Sequence, residues 1–193
     1  MNVELNVRIL AALALLLLPG CSVFTSPMSR HEKASQTDAY LYGRFSVSPS
    51  STVYGLYPII GLDFACKQNA AWYSIGFSRE DPLQVIKIPG GNTCSLVRIS
   101  YARPGGLIVV KTELVPEEIR APIRFEPGTA YYLGDYSSSS SVFAGSTRVE
   151  MEWRLTGVSD RYERTTADMK SAFHGMSMIP TENKTVQWPR AYW

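Results

Sequence analysis

The chain has 193 residues, of which 45% are hydrophobic and 19% are charged, and its 19 basic and 17 acidic side chains leave a formal net charge of +2. Proteins that bind nucleic acid normally carry a clustered basic excess well beyond this balance, so we expect no nucleic-acid partner. The length is sufficient for one domain of ordinary size that buries its own hydrophobic core without a metal ion.

The N-terminal segment predicts an export signal. Residues 9–18 are all aliphatic, and this run is too short to span a bilayer, which takes roughly 20 apolar residues in a helix. A short apolar run that ends at a small residue is typical of a secretory signal peptide. The residues Leu18, Pro19, Gly20 and Cys21 then resemble the lipobox of bacterial lipoproteins, with Pro19 as its least usual member.

The lipobox resemblance implies a signal peptide over residues 1–20, cleavage before Cys21, and attachment of diacylglycerol to the Cys21 thiol. Because each buried methylene contributes about 0.8 kcal/mol, two or three acyl chains make a stable membrane anchor. Ser22 in place of aspartate implies export to the outer membrane, with the domain in the periplasm or at the cell surface. The membrane is then one partner, and envelope proteins are candidate partners. The alternatives are that Cys21 only begins a secreted chain or is an ordinary buried thiol.

Two cysteines remain once Cys21 is assigned to lipid, namely Cys66 and Cys94. An even pair in an oxidising compartment predicts a disulfide. Closing the loop between them would stabilise the fold by roughly 3 to 4 kcal/mol. Two buried free thiols are the alternative.

Residues 21–37 lack periodicity and are rich in small and polar side chains, which predicts a flexible tether about 20 to 25 Å in root-mean-square span. A β-sandwich domain is expected over 38–178, followed by a polar tail over 179–193. The domain shows short β-branched and aromatic runs separated by turn residues, the pattern of an all-β sandwich. The nine expected strands cover residues 40–47, 59–66, 72–77, 84–88, 95–101, 107–113, 119–125, 130–136 and 148–156.

Within the last strand, apolar residues alternate with charged ones, so one face is expected in the core and the other in solvent. The charged face could serve recognition or simple solvation. The serine run 137–141 is expected to be a loop between strands. One helix is expected over 160–173, with Asp160 as its N-cap and Glu163 as the capping-box partner. The face expected to pack against the sheet contains Tyr162, Thr166, Met169 and Phe173.

The segment from Phe125 to Asp135 places a Pro-Gly turn before an aromatic strand that ends in Leu133-Gly134. It resembles a group of uncharacterised proteobacterial envelope lipoproteins, and the similarity extends over most of the chain after residue 21. The resemblance implies an immunoglobulin-like or prealbumin-like β-sandwich with one C-terminal helix. It carries no catalytic residues that could be transferred to this chain.

A search for catalytic chemistry nominates no residue, no metal site and no cofactor. The only histidines are His31, in the expected tether, and His174, at the expected helix end, so a multi-histidine zinc site in the domain is not expected. His174 near Ser177 is the sole candidate for a histidine-based triad, and no nucleophile elbow accompanies it. A histidine in the last helical turn is explained by attraction to the helix carbonyl end.

Two aromatic segments could carry binding. The first contains Tyr54 and Tyr57, and the second contains Trp188 and Trp193, near the C-terminus. Aromatic side chains provide large contact area at low entropic cost, although the terminal tryptophans could instead dock on the sandwich. We therefore expect a membrane-anchored, non-catalytic interaction or scaffolding module. The alternatives are a cell-envelope hydrolase and a binder of glycans or small ligands.

Overall fold

A computed structural model of the chain describes residues 22–23, 25–47, 59–68, 71–78, 80–102, 109–115, 117, 120–144 and 149–185. These residues form eleven strands, one α-helix and one short 3₁₀-helix. The strands are β1 (Ser22–Val23), β2 (Asp38–Val47), β3 (Ile59–Cys66), β4 (Trp72–Phe77), β5 (Leu83–Pro89), β6 (Asn92–Ala102), β7 (Val109–Leu114), β8 (Ile123–Phe125), β9 (Ala130–Ala144), β10 (Val149–Ser159) and β11 (Thr181–Asn183). The α-helix, α1, spans Tyr162–Ala172, and the 3₁₀-helix spans His174–Met176.

The strands form two sheets. The first sheet has the order β1-β4-β3-β6-β7, with β8 also paired to β6. The second has the order β10-β9-β2-β5, with β11 also paired to β9. Over the residues that the structure describes, the expected β-sandwich with one α-helix near the C-terminus is therefore confirmed.

The main core lies between the two sheets and is built from alternating strand residues. Along β3, Ile60, Leu62 and Phe64 are fully buried, because side chains at every second position point to the same face of a sheet. From the second sheet, Tyr131 packs into this core, where its ring meets that of Phe125 edge-on at 5.0 Å between centroids.

Cys66 and Cys94 lie inside this core. They are direct register partners on the adjacent strands β3 and β6, and their sulfur atoms are at bonding distance, 1.90 Å. The structure thus pairs the two cysteines that remained after Cys21 was assigned to lipid.

A second apolar cluster lies on the opposite face of the second sheet, where α1 covers it. Met169 and Phe173 from the helix pack there against Tyr42 and Tyr132, as the predicted apolar face requires. The molecule therefore has three layers in the order first sheet, second sheet, α1, so that the outer face of the first sheet and α1 lie on opposite sides.

The prediction of a flexible tether over 21–37 is wrong for the described residues 22–23 and 25–37, which lie against the sandwich. Met28 is buried in the cluster beneath α1, and its amide donates to the carbonyl of Val85 at 2.7 Å. Arg30 lies over the ring of Phe173 at 5.7 Å. Polar composition predicted a solvated linker, but one buried methionine and the hydrogen bonds of the β5 edge hold the segment on the domain.

The prediction of a separate tail over 179–193 is wrong for residues 179–185, which are part of the domain. Ile179 is buried in the cluster beneath α1, and β11 adds a parallel strand beside β9. The described part of the domain therefore extends beyond the predicted boundaries at both ends.

The predicted serine loop is wrong, because Ser137 to Ser141 lie within β9. All five pair with β10, and Ser137 and Ser138 also pair with β2 on the other side. Serine has only a weak intrinsic preference for strands, and pairing with neighbouring strands overrides it here.

The predicted helix cap is displaced by one position. The N-cap residue is Arg161, whose side chain makes no capping hydrogen bond. Asp160 still accepts a hydrogen bond from the first helical amide, that of Tyr162, at 3.1 Å. Asp160 thus stabilises the start of α1 without the capping box that the sequence predicted.

Among the described residues, no helix is long and apolar enough to cross a membrane.

Candidate interaction surfaces

An acid–base cluster lies on the outer face of the first sheet. The carboxylate of Asp63 is 3% exposed and accepts hydrogen bonds from Ser74 Oγ and Arg98 Nε, both at 2.5 Å. The Arg98 guanidinium lies 5.1 Å from the ring centre of Trp72. A buried carboxylate thus holds an arginine over a tryptophan, and we name Trp72, Arg98 and Asp63 the outer-face cluster.

This cluster arises from the strand register. Asp63 pairs with Ser74 on β4 and with Arg98 on β6, so these three outward side chains meet across neighbouring strands. Trp72 lies on β4 two residues before Ser74, on the same face. Arginine and tryptophan are enriched where proteins bind partners, since both offer large contact area and the guanidinium offers several hydrogen-bond donors. The arrangement is suited to holding a binding surface rigid.

A tyrosine network lies beneath α1 on the other side of the molecule. The Tyr132 hydroxyl is 2.8 Å from Asp135 Oδ1 and accepts the amide hydrogen of Arg161 at 3.1 Å. Asp135 also accepts from Thr165 Oγ1 at 2.9 Å. These bonds satisfy buried polar groups where the helix meets the sheet, so their role is to position α1.

Burial raises the pKa of five tyrosine hydroxyls above the ordinary value, three of them beneath α1 and two in the main core. Desolvation is the largest cause for each, because the charged phenolate is disfavoured away from water. For Tyr132, the neighbouring Asp135 carboxylate raises the pKa further. The affected residues are Tyr40, Tyr42, Tyr131, Tyr132 and Tyr136.

This shift predicts alkaline instability. With pKa values raised in the folded state, the stabilising contribution is fully present below the unfolded pKa of about 10 and is lost as the pH rises above it. A tyrosine whose pKa is raised well above 10, as burial does for Tyr42, lowers the free energy of unfolding by about 1.4 kcal/mol per pH unit between its unfolded and folded pKa values. Chemical denaturation at increasing pH should show this decline, and Tyr42→Phe should reduce its slope by about one tyrosine's contribution. An unchanged slope in that variant would contradict the assignment to Tyr42.

The two histidines of the chain come together at the C-terminal end of α1. The rings of His31 and His174 stack at 5.5 Å between centroids, and the amide of His174 donates to the carbonyl of Arg30 at 3.1 Å. The sequence predicted His31 in a tether and His174 at the helix end, and therefore no contact between them. The Ser177 amide donates to the His174 carbonyl, a helix-end contact that does not activate the serine hydroxyl.

An open depression of about 500 Å³ lies at the N-terminal end of α1. Its charges are of both signs, and Asn183 donates to the Asp160 carboxylate across it at 2.8 Å. The lining residues are Asp160, Arg161, Tyr162, Glu163, Arg164 and Asn183. In the part of the chain that the structure describes, no group of three or more histidine, cysteine or acidic side chains could hold a metal ion.

Several predicted site residues lie outside the described residues. These include the lipidation candidate Cys21 and the aromatic candidates Tyr54, Tyr57, Trp188 and Trp193. The side chains of the charged strand face at 148–154 are likewise outside the description. Their roles remain predictions.

The outer-face cluster was missed by the sequence analysis. A signal was present, because Asp63 interrupts an otherwise apolar strand at an outward position, where an acid needs a partner if it is buried. The identity of that partner depends on β3–β6 pairing, which a single sequence does not specify.

Comparison of the chain with protein-family models, with curated proteins and with solved structures finds no match.

Proposed function

We propose that the protein is a lipid-anchored envelope protein whose β-sandwich acts as a non-catalytic interaction or scaffolding module at the outer membrane. The observation that carries the proposal is the sequence Leu18-Pro19-Gly20-Cys21 at the end of an aliphatic run. Such a segment directs a bacterial chain to export and lipidation, and two or three acyl chains hold a domain on a membrane. The resemblance of the segment from Phe125 to Asp135 to envelope lipoproteins is in keeping with it.

The three-layer structure is compatible with a scaffolding role. Among the described residues, the tyrosine hydroxyls beneath α1 take part in packing, and Asp63 and Arg98 form an ion pair. Exposed residues of mixed charge on α1, including Glu163 and Arg164, offer a surface for a protein partner. Mixed charges of this kind set orientation and specificity more than affinity.

Crosslinking in intact cells tests this function. Tagged wild-type protein and a Cys21→Ala variant are crosslinked in parallel, and the proteins that co-purify from the membrane fraction are identified. The proposal expects a specific envelope protein that is bound by the wild type and lost with the anchor. A membrane-bound wild type with no specific partner would contradict the scaffolding role, and a wild type found wholly in the soluble fraction would contradict the anchor.

The alternative of a cell-envelope hydrolase depends on His174. The His174 ring stacks on His31 at an exposed helix end. We therefore expect the His174→Ala variant to rescue a strain that lacks the protein as fully as the wild type does. The measurement is rescue of the deletion phenotype at matched protein levels. Loss of rescue by a folded His174→Ala protein would support the hydrolase instead.

A further inference from the structure

The first residues after Cys21 are held directly against the sandwich. Ser22 and Val23 pair in parallel with Trp72 and Tyr73 at the edge of the first sheet. Two residues further on, Thr25 Oγ1 donates to the Ser74 carbonyl at 2.6 Å. Consecutive Cα atoms are about 3.8 Å apart, so an anchor at residue 21 begins within one residue of the sheet edge and has no long linker.

The surface beside this edge has the chemistry of a membrane interface. Trp72, the register partner of Ser22, carries an aromatic ring of the kind that is enriched at the boundary between headgroups and hydrocarbon. Arg98 extends over that ring and is 34% exposed, while its Nε is held by Asp63. Lys67, just after β3, is exposed at the same end of the sheet. Guanidinium and ammonium groups both bind phosphate.

We propose that the sandwich sits directly on the lipid headgroups through Trp72, Arg98 and Lys67, beside the anchored Cys21. This inference rests on the proposed lipid anchor and adds an orientation to it. Since α1 lies on the opposite side of the molecule from the outer face of the first sheet, the helix then faces away from the membrane. Asp63 neutralises part of the charge of Arg98. The Trp72 ring and the acyl anchor therefore contribute more to membrane binding than electrostatic attraction does.

Fluorescence quenching in vesicles tests this orientation. Protein purified with its anchor is reconstituted into vesicles of phosphatidylethanolamine and phosphatidylglycerol that carry a quencher on the headgroup. A fluorophore is attached to Gln68→Cys, which is exposed at the anchor end, or to the matched control Ser171→Cys, which is exposed on α1. We expect at least threefold stronger quenching at position 68 than at position 171. Equal quenching at the two positions on anchored protein would overturn the proposal.

A second variant tests the side chains themselves. Combining Trp72→Ala with Arg98→Gln in the Gln68→Cys protein should reduce quenching at position 68 at least twofold while the protein stays on the vesicles. If the double variant does not fold, Arg98→Gln alone replaces it, and a smaller decrease in quenching at position 68 is then expected. Unchanged quenching in the folded variant would overturn the role of these residues. Failure of the anchor is distinguishable, because the labelled Gln68→Cys protein would then remain in the supernatant.

Discussion

Replacing both Cys66 and Cys94 by alanine is expected to lower the free energy of unfolding by about 3.5 kcal/mol. The two cysteines are 28 positions apart, and a crosslink that closes a loop of this length lowers the entropy of the unfolded chain by roughly that amount. Both side chains are buried, so the small cavities left by the sulfur atoms add to the loss. Chemical denaturation of the double variant against its parent measures the difference.

The control for this prediction uses a Cys21→Ala background, which removes the third thiol of the chain. Chemical reduction of that parent should destabilise it to nearly the level of the double alanine variant. Thiol titration after denaturation without reductant should find no free thiol in the parent. Two free thiols together with a loss below about 1 kcal/mol would contradict the disulfide.

Gly134→Ala is expected to destabilise the fold by about 3 kcal/mol. Gly134 has a φ of +128°, a backbone conformation that residues other than glycine adopt only with strain of about 1 to 3 kcal/mol. A Cβ built there would lie 2.6 Å from Val158 Cγ1, and overpacking of this kind costs about 1 to 3 kcal/mol more. The position lies in β9 at a register shift against β2, opposite Gly43.

Gly76→Ala is the matched control, since Gly76 is also a strand glycine. It is exposed, and the nearest atom to an added Cβ is Ile59 Cγ2, at an ordinary contact distance of 3.9 Å. We expect its effect to stay within about 0.5 kcal/mol. Thermal or chemical denaturation of the two variants side by side checks the contrast, and equal stabilities would show that the Gly134 backbone relaxes without strain.

The strands with strong alternation were predictable from the sequence. The bounds of β3 and β4 match the prediction at both ends, because β-branched and aromatic residues recur there with period two and turn residues follow. The serine run in β9 gives no such signal, and only its pairing with β10 and β2 makes it a strand.

The chain ends were the least predictable part of the fold. A single buried side chain, Met28, is enough to turn a polar segment into part of the second apolar cluster, and no periodicity marks it. The short strands β1 and β11 have two and three residues, too few for a pattern to appear. Because no pattern showed that the N-terminal segment packs on the domain, the contact between the rings of His31 and His174 was not predicted.

The outer-face cluster could not be predicted either, because it depends on which strands pair with one another. Only Asp63 of the outer-face cluster stands out in the sequence, and the contact of Arg98 with both Asp63 and Trp72 follows only from the register of three strands. The predicted lipobox, by contrast, is a contiguous segment, so it could be proposed before any fold was known.

Mass spectrometry of the N-terminal peptide from the membrane fraction tests the lipid anchor most directly. Trypsin should release a peptide over residues 21–30, because Arg30 is the first cleavage site after Cys21. The account predicts that this peptide begins at Cys21 and carries diacylglycerol on the thiol, with an acyl group on its amine. An unmodified peptide over the same residues, or an uncleaved peptide over residues 9–30 that begins after the trypsin site at Arg8, would contradict the anchored module.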